Sequence, residues 1–197
     1  RVDSSFNTFA VVDWAPLGTT ASGGPLFSEA VDELLFFDGS EEGYHRADSL
    51  SVAAAVDRLE NEDVDAAFVY IGDADEVSHA TGTYAPEYRS AIEEADVLVG
   101  RLVAAIQARP TYADEDWLIL VSTDHGRDEE GGHGGDSDQE RTIFFLAHGP
   151  SVVREPIETA PNIVDVAVTA LIHLGVEIDP AWNLDGRSVA LRVARVQ

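Results

Sequence analysis

Five short runs of consecutive apolar residues punctuate the chain: Phe9 to Val12, Leu34 to Phe37, Ala66 to Ile71, Trp117 to Val121 and Ile143 to Ala147. None shows the apolar–polar alternation of a half-exposed strand, so they predict buried strands of the kind that make parallel sheets, the second run being the weakest. Between them the period changes. Val52, Ala55, Val56 and Leu59 recur at i, i+3, i+4 and i+7, and Ile92, Ala95, Val99, Leu102, Val103 and Ile106 keep that spacing over a longer segment opened by Pro86. From Asn162 to Leu174 the apolar residues run nearly all round, with Asn162 placed to cap the start, Asp165 in the first turn and Gly175 just past the end. That pattern predicts a well-buried helix. Strands alternating with helices predict an α/β fold, a mostly parallel central sheet with helices on both faces.

No internal repeat, low-complexity tract or linker marks a boundary, so residues 1–197 are expected to form a single α/β domain. One segment stands apart. Asp124 to Arg141, DHGRDEEGGHGGDSDQER, is polar, Gly-rich and longer than an ordinary connection, and loops of this kind are usually functional or disordered. The hydrophobic content of 45% is that of a globular chain with a full core.

Charge narrows the partners. There are 37 Asp and Glu against 12 basic residues, all of them Arg, for a formal net charge of -25. A surface this negative repels nucleic-acid phosphates and anionic lipid headgroups, so duplex nucleic acid and acidic membranes are poor partners. No stretch approaches the roughly 18 to 20 apolar residues that span a bilayer, and membrane insertion is not expected. Without cysteine there is neither a disulfide framework nor a thiolate metal site, so any metal must be held by His and carboxylates.

Two of the predicted strands run directly into such residues. Ala66 to Ile71 leads into GDADEVSHATG, which sets Asp75 and His79 four residues apart, one helical turn that aims both side chains the same way. Trp117 to Val121 leads into STDHG, which sets Asp124 and His125 at a second strand end, with Gly126 allowing a sharp turn. His133 lies between two Gly pairs, where nothing local supplies a core for it to join. Ligand sites of open α/β sheets lie at the carboxyl ends of strands. Three His and two Asp form an oxygen and nitrogen donor set suited to Zn²⁺, Mn²⁺ or Fe, with Zn²⁺ favoured by the number of imidazoles.

These motifs, FVYIGDADEVSHATG, LILVSTDHG, GGHGGDSDQERTIFFLAHGP and NLDGRSV, resemble in order and spacing those of the alkaline phosphatase superfamily, within it the type I phosphodiesterase and nucleotide pyrophosphatase branch. The resemblance implies an alkaline phosphatase-like fold and a two-metal phosphoric ester hydrolase. It also implies that Asp75, His79 and His133 bind one divalent ion, that Asp124 and His125 bind the other, and that the ions are Zn or else Mn. Its substrate would be a small-molecule phosphate ester, attacked by a Thr or Ser that becomes phosphorylated. The family carries that nucleophile, and an Asp after its first strand, ahead of the region matched here. The chain is therefore expected to be the C-terminal part of a longer catalytic domain, inactive without its N-terminal segment. Asp13 could imitate the Asp, and Thr19, Thr20 or Ser22 the nucleophile, but a strand end and a polar loop are the plainer readings.

Other chemistries fit less well. A serine esterase is suggested by Gly135-Asp136-Ser137, yet G-x-S-x-G is absent. A sulfatase or phosphonate hydrolase on the same scaffold remains an alternative, as does a non-catalytic acidic module that binds metal. His45, His148 and His173 have no acidic partner at a useful spacing, and Trp14, Trp117 and Trp182 are expected in the core.

Overall fold

The structure, a computed structural model, describes residues 4–20, 24–27, 30–155 and 157–192. Ser22, one of the candidate nucleophiles, lies outside the described residues. The chain divides into two compact units. The first holds residues 1–113 together with 129–132, and the second residues 114–128 together with 133–197.

In the first unit, β1 (Thr8–Val12), β2 (Glu33–Phe36) and β3 (Ala66–Val69) form a parallel sheet in the order β2-β1-β3. Ala10 pairs with Leu34 on one side and Phe68 on the other. The central strand carries the apolar run that is fully enclosed, with Ala10, Val11 and Val12 all at 0% exposure. The edge strand β3 is not enclosed, since Ala67 and Phe68 are exposed, and Phe68 packs at 5.1 Å against Phe27. A run that looks equally apolar thus has different surroundings because only β1 has neighbours on both sides.

Helices flank this sheet: α1 (Ala15–Gly18), α2 (Gly39–Glu42), α3 (Tyr44–Asn61), α4 (Asp73–Thr81) and α5 (Pro86–Ala108). Val52, Ala55 and Leu59 bury the predicted stripe of α3, which packs on β1 and β3, while α5 packs on α3 and α4. Pro86 opens α5 as expected, because the missing N–H is one that a first turn leaves unpaired anyway. The Arg109 guanidinium closes this layer by donating to the Leu59 and Glu62 carbonyls at the end of α3.

The second unit pairs β4 (Ile119–Ser122) with β5 (Phe145–His148), and the pairing is antiparallel, where the apolar runs predicted parallel strands. Between them α6 (Asp138–Arg141) closes the polar loop, and α7 (Ile163–His173) packs on β4. Asn162 and Asp165 form a reciprocal cap, and Gly175 takes the left-handed turn after the helix at φ 74°. The helix is less enclosed than its composition predicts. Val168 and Thr169 are buried, but Ile163, Val164 and Ile172 are each more than 40% exposed. Trp14 and Trp182, expected in the core, are also exposed, and Trp14 stacks on Tyr70. Among the described residues no helix is long and apolar enough to cross a membrane.

Candidate metal centre

In the first unit β3 ends at Val69, and after Gly72 the chain enters α4. Gly72 is the N-cap but has no side chain to cap with. Asp48 of α3 supplies the missing acceptors: Oδ1 takes the Gly72 N–H at 2.8 Å and Oδ2 the Asp73 N–H at 3.1 Å. Orphan donors at a helix start are satisfied this way, and a negative charge there opposes the helix dipole favourably. So anchored, α4 presents Asp75 and His79 one turn apart on one face, with His79 Nε2 3.4 Å from Asp75 Oδ2. Asp73 faces elsewhere, its carboxylate 3.6 Å from His45 Nδ1, so His45 does have an acidic neighbour that its local sequence hides. Burial, and then the charge of Asp48, raise Asp73 above the usual carboxylate range.

The segment Glu129–Gly132 belongs to this same unit, though it sits in the middle of the polar loop. The Glu129 carbonyl accepts from the Thr83 N–H at 3.1 Å and from the Thr83 hydroxyl at 3.0 Å. Gly131 is buried at φ 88°, and a β-carbon there would overlap the Ser78 carbonyl oxygen of α4. Only glycine meets both conditions. His133 is two residues further along the chain.

In the second unit β4 runs into Asp124 and His125. His125 donates its backbone N–H to Asp124 Oδ1 at 3.1 Å, and its Nδ1 lies 2.9 Å from the Gly126 carbonyl oxygen. A carbonyl can only accept, so Nδ1 carries a proton, which leaves Nε2 as the ring nitrogen that could serve a metal. That Nε2 is 3.5 Å from Asp124 Oδ1. The His133 ring stacks on the His125 ring with centroids 3.9 Å apart and planes at 17°. Two imidazoles eight residues apart and a neighbouring carboxylate form a donor set of the kind that holds a borderline divalent cation. Gly126 is needed here less for a sharp turn than for closeness, since a β-carbon would overlap the Gln139 carbonyl oxygen.

The rest of the loop is structured by α6. Ser137 and Glu140 cap it reciprocally, and Glu140 Oε1 also takes the Gly135 N–H at 2.7 Å. The Ser137 hydroxyl first, then the Gly135 N–H, hold Glu140 below its ordinary carboxylate range. Ser137 is thereby accounted for as a cap. Thr19 likewise donates its hydroxyl to the Ala15 carbonyl at 3.3 Å.

The profile of the type I phosphodiesterase/nucleotide pyrophosphatase family matches residues 13–135, more than half of the chain and a span that includes all five candidate ligands. The chain belongs to that family. A second profile, a domain of unknown function (DUF4983), matches residues 152–190 of this phosphodiesterase-family chain. GPI ethanolamine phosphate transferase 3 of Eremothecium gossypii is 31% identical over 50% of the chain and 10% of its own length. The catalytic subunit of GPI ethanolamine phosphate transferase 3 from Mus musculus is 26% identical over 78% of the chain and 14% of its own length. The chain therefore spans only a small part of these relatives. Among solved structures, a Leishmania mexicana phosphoglycerate mutase, crystallised at low cobalt concentration, superposes with a TM-score of 0.63 at 16% identity, over 95% of this chain and 37% of that one. That likeness concerns the fold, and with the family match it supports the alkaline phosphatase superfamily that the motifs suggested.

One pair escaped the sequence reading. Asp13, at the end of β1, is 0% exposed, and neither carboxyl oxygen takes part in a formed hydrogen bond. Its neighbour is Asp48, 2% exposed. Burial first, then Asp48, push Asp13 far above the usual carboxylate range. A signal was available: Asp48 falls on the helical stripe of Val52, Ala55 and Leu59, an acidic residue on an apolar face.

Proposed function

We propose that the chain is the metal-binding part of a phosphoric ester hydrolase in which Asp75, His79 and His133 hold one divalent ion and Asp124 and His125 a second, zinc being the best fit and manganese the next. The observation that carries the reading is the stacking of His125 and His133, two imidazoles brought together from a strand end and a Gly-rich loop with no core to bury either. Two bound dications bring about four positive charges to one point, which reverses the local field of a chain of charge -25 and lets it hold a phosphate. The chain's own part is to orient the donors: Asp48 holds the start of α4, and the Gly126 carbonyl selects the His125 tautomer.

The substrate in this reading is a small-molecule phosphate ester, attacked by a Thr or Ser that becomes phosphorylated. A second reading keeps the same centre but passes the phosphorus-bearing group to an alcohol instead of water. The names of the relatives, ethanolamine phosphate transferases, favour it.

Titration with Zn²⁺ followed by plasma emission should give two equivalents per chain, and His79→Ala and His125→Ala about one each. Full stoichiometry in both variants would remove the assignment. Full-length protein should cleave bis-p-nitrophenyl phosphate in a chelator-sensitive manner, and an added alcohol that yields a new phosphodiester would mark transfer.

A further inference from the structure

Asp13 closes β1 at a point where burial is complete. Its Oδ1 lies so near Gly72 that a β-carbon on that glycine would come within 2.9 Å of it, and the Gly39 N–H donates to its backbone carbonyl at 2.9 Å. Neither side-chain oxygen has a formed hydrogen bond, and the small lowering pull of the Gly72 N–H and of its own N–H is outweighed by burial and by Asp48. The Gly72 and Asp73 N–H groups are bonded to Asp48. A buried carboxylate with no donor beside a second carboxylate is unfavourable twice over, by desolvation and by like-charge repulsion. A single proton removes both costs. Asp48 has the better claim to the negative charge, since it accepts two backbone N–H groups at a helix start.

We propose that Asp13 is a neutral carboxylic acid that donates its hydroxyl to Asp48, and that this proton-sharing pair positions the N-terminus of α4, the helix bearing Asp75 and His79. Asp13 is then a positioning residue tying the end of β1, through Asp48 of α3, to the start of α4. The titratable groups around the pair are Tyr44 and His45 on α3, Asp73 and Glu76 on α4, and Asp38 at the start of α2. Of these, Asp48 is the titratable group that raises Asp13. Burial first, and then the acidic cluster around it, raise Tyr44, which therefore stays neutral and adds no charge to the cluster. That the pair matters for metal binding rests on the function proposed above; that the proton is there does not.

The sign of the pH effect follows from the raised value. The folded chain keeps a proton on Asp13 that the unfolded chain releases near 3.8, so the stabilising contribution is complete below that pH and is lost progressively as pH rises toward the folded-state value. Asp13→Asn keeps the shape and an N–H donor for Asp48 but cannot ionise. In the metal-free chain between pH 5 and 8, the folding equilibrium constant of the wild type should fall about tenfold per pH unit relative to Asp13→Asn, which is ~1.4 kcal/mol per unit. Other groups titrate in both proteins and cancel. Difference infrared spectra at pH 7 should show a protonated-carboxyl C=O stretch in the wild type that Asp13→Asn lacks. Hydrogen exchange at the Gly72 and Asp73 amides should stay slow in Asp13→Asn and speed up in Asp13→Ala. Parallel pH dependences, no protonated-carboxyl band, or a cation that replaces the proton and stabilises the wild type alone would each overturn the proposal. If the wild type bound no zinc while the band and the pH slope appeared, the function proposed above would fail and the proton-sharing pair would stand.

Discussion

Replacing Gly131 with alanine tests how the loop before His133 is held. Gly131 sits at φ 88° with its α-carbon against the Ser78 carbonyl, whereas Gly134, at φ 93°, has nothing within 4 Å of the position a β-carbon would take. The two glycines therefore share a conformational demand and differ in space. A left-handed backbone costs an L-residue about 1–2 kcal/mol. Reduced freedom of the unfolded chain returns about 0.4–1 kcal/mol. Gly134→Ala should thus destabilise by roughly 0–1.6 kcal/mol. Gly131→Ala has the same balance plus a backbone overlap that can be relieved only by moving the loop or α4, and overpacking of that kind adds about 1–3 kcal/mol. Urea unfolding of the metal-free chain measures the difference without the contribution of bound ions. Hydrogen exchange at the Thr83 amide, which donates to Glu129 in the same segment, reports the local movement. If the two variants unfold within about 0.5 kcal/mol of each other and Thr83 keeps its protection in both, the segment is not clamped on α4.

Asp165→Ala should cost about 3 kcal/mol or more in chemical denaturation, because this buried carboxylate takes the Asn162 N–H at 2.9 Å and the Arg187 N–H at 2.8 Å and its loss leaves both donors unpaired. Asp165→Asn, which keeps one acceptor, should lose about half as much, and equal losses would show that shape rather than acceptance matters. The thermal midpoint should rise by several degrees between 0.1 and 1 M NaCl at constant metal occupancy, since shortening the Debye length from about 10 Å to about 3 Å screens the self-repulsion of a chain of charge -25. A flat or falling midpoint would mean that surface charge does not govern stability.

What the linear pattern determined about this protein is local in origin. Five apolar runs became five strands, Pro86 opened α5, and Asn162, Asp165 and Gly175 bounded α7, because caps and periodicities act over a few residues wherever the segment lies. The short spacings of Asp75 with His79 and of Asp124 with His125 were legible for the same reason. Tertiary structure decided the rest. Strand order made β1 the enclosed strand and left Phe68 at an edge, and the antiparallel pairing of β4 with β5 followed from no feature of either run. The exposure of Ile163, Val164 and Ile172 depended on which faces of α7 are covered, by β4 among others. His133 came to His125, and Asp13 to Asp48, across eight and thirty-five residues of chain, distances over which no local periodicity carries information. Burial is a property of what the rest of the chain leaves uncovered, so an Asp at the end of an apolar strand reads as a surface turn until the helices that cover it are in place.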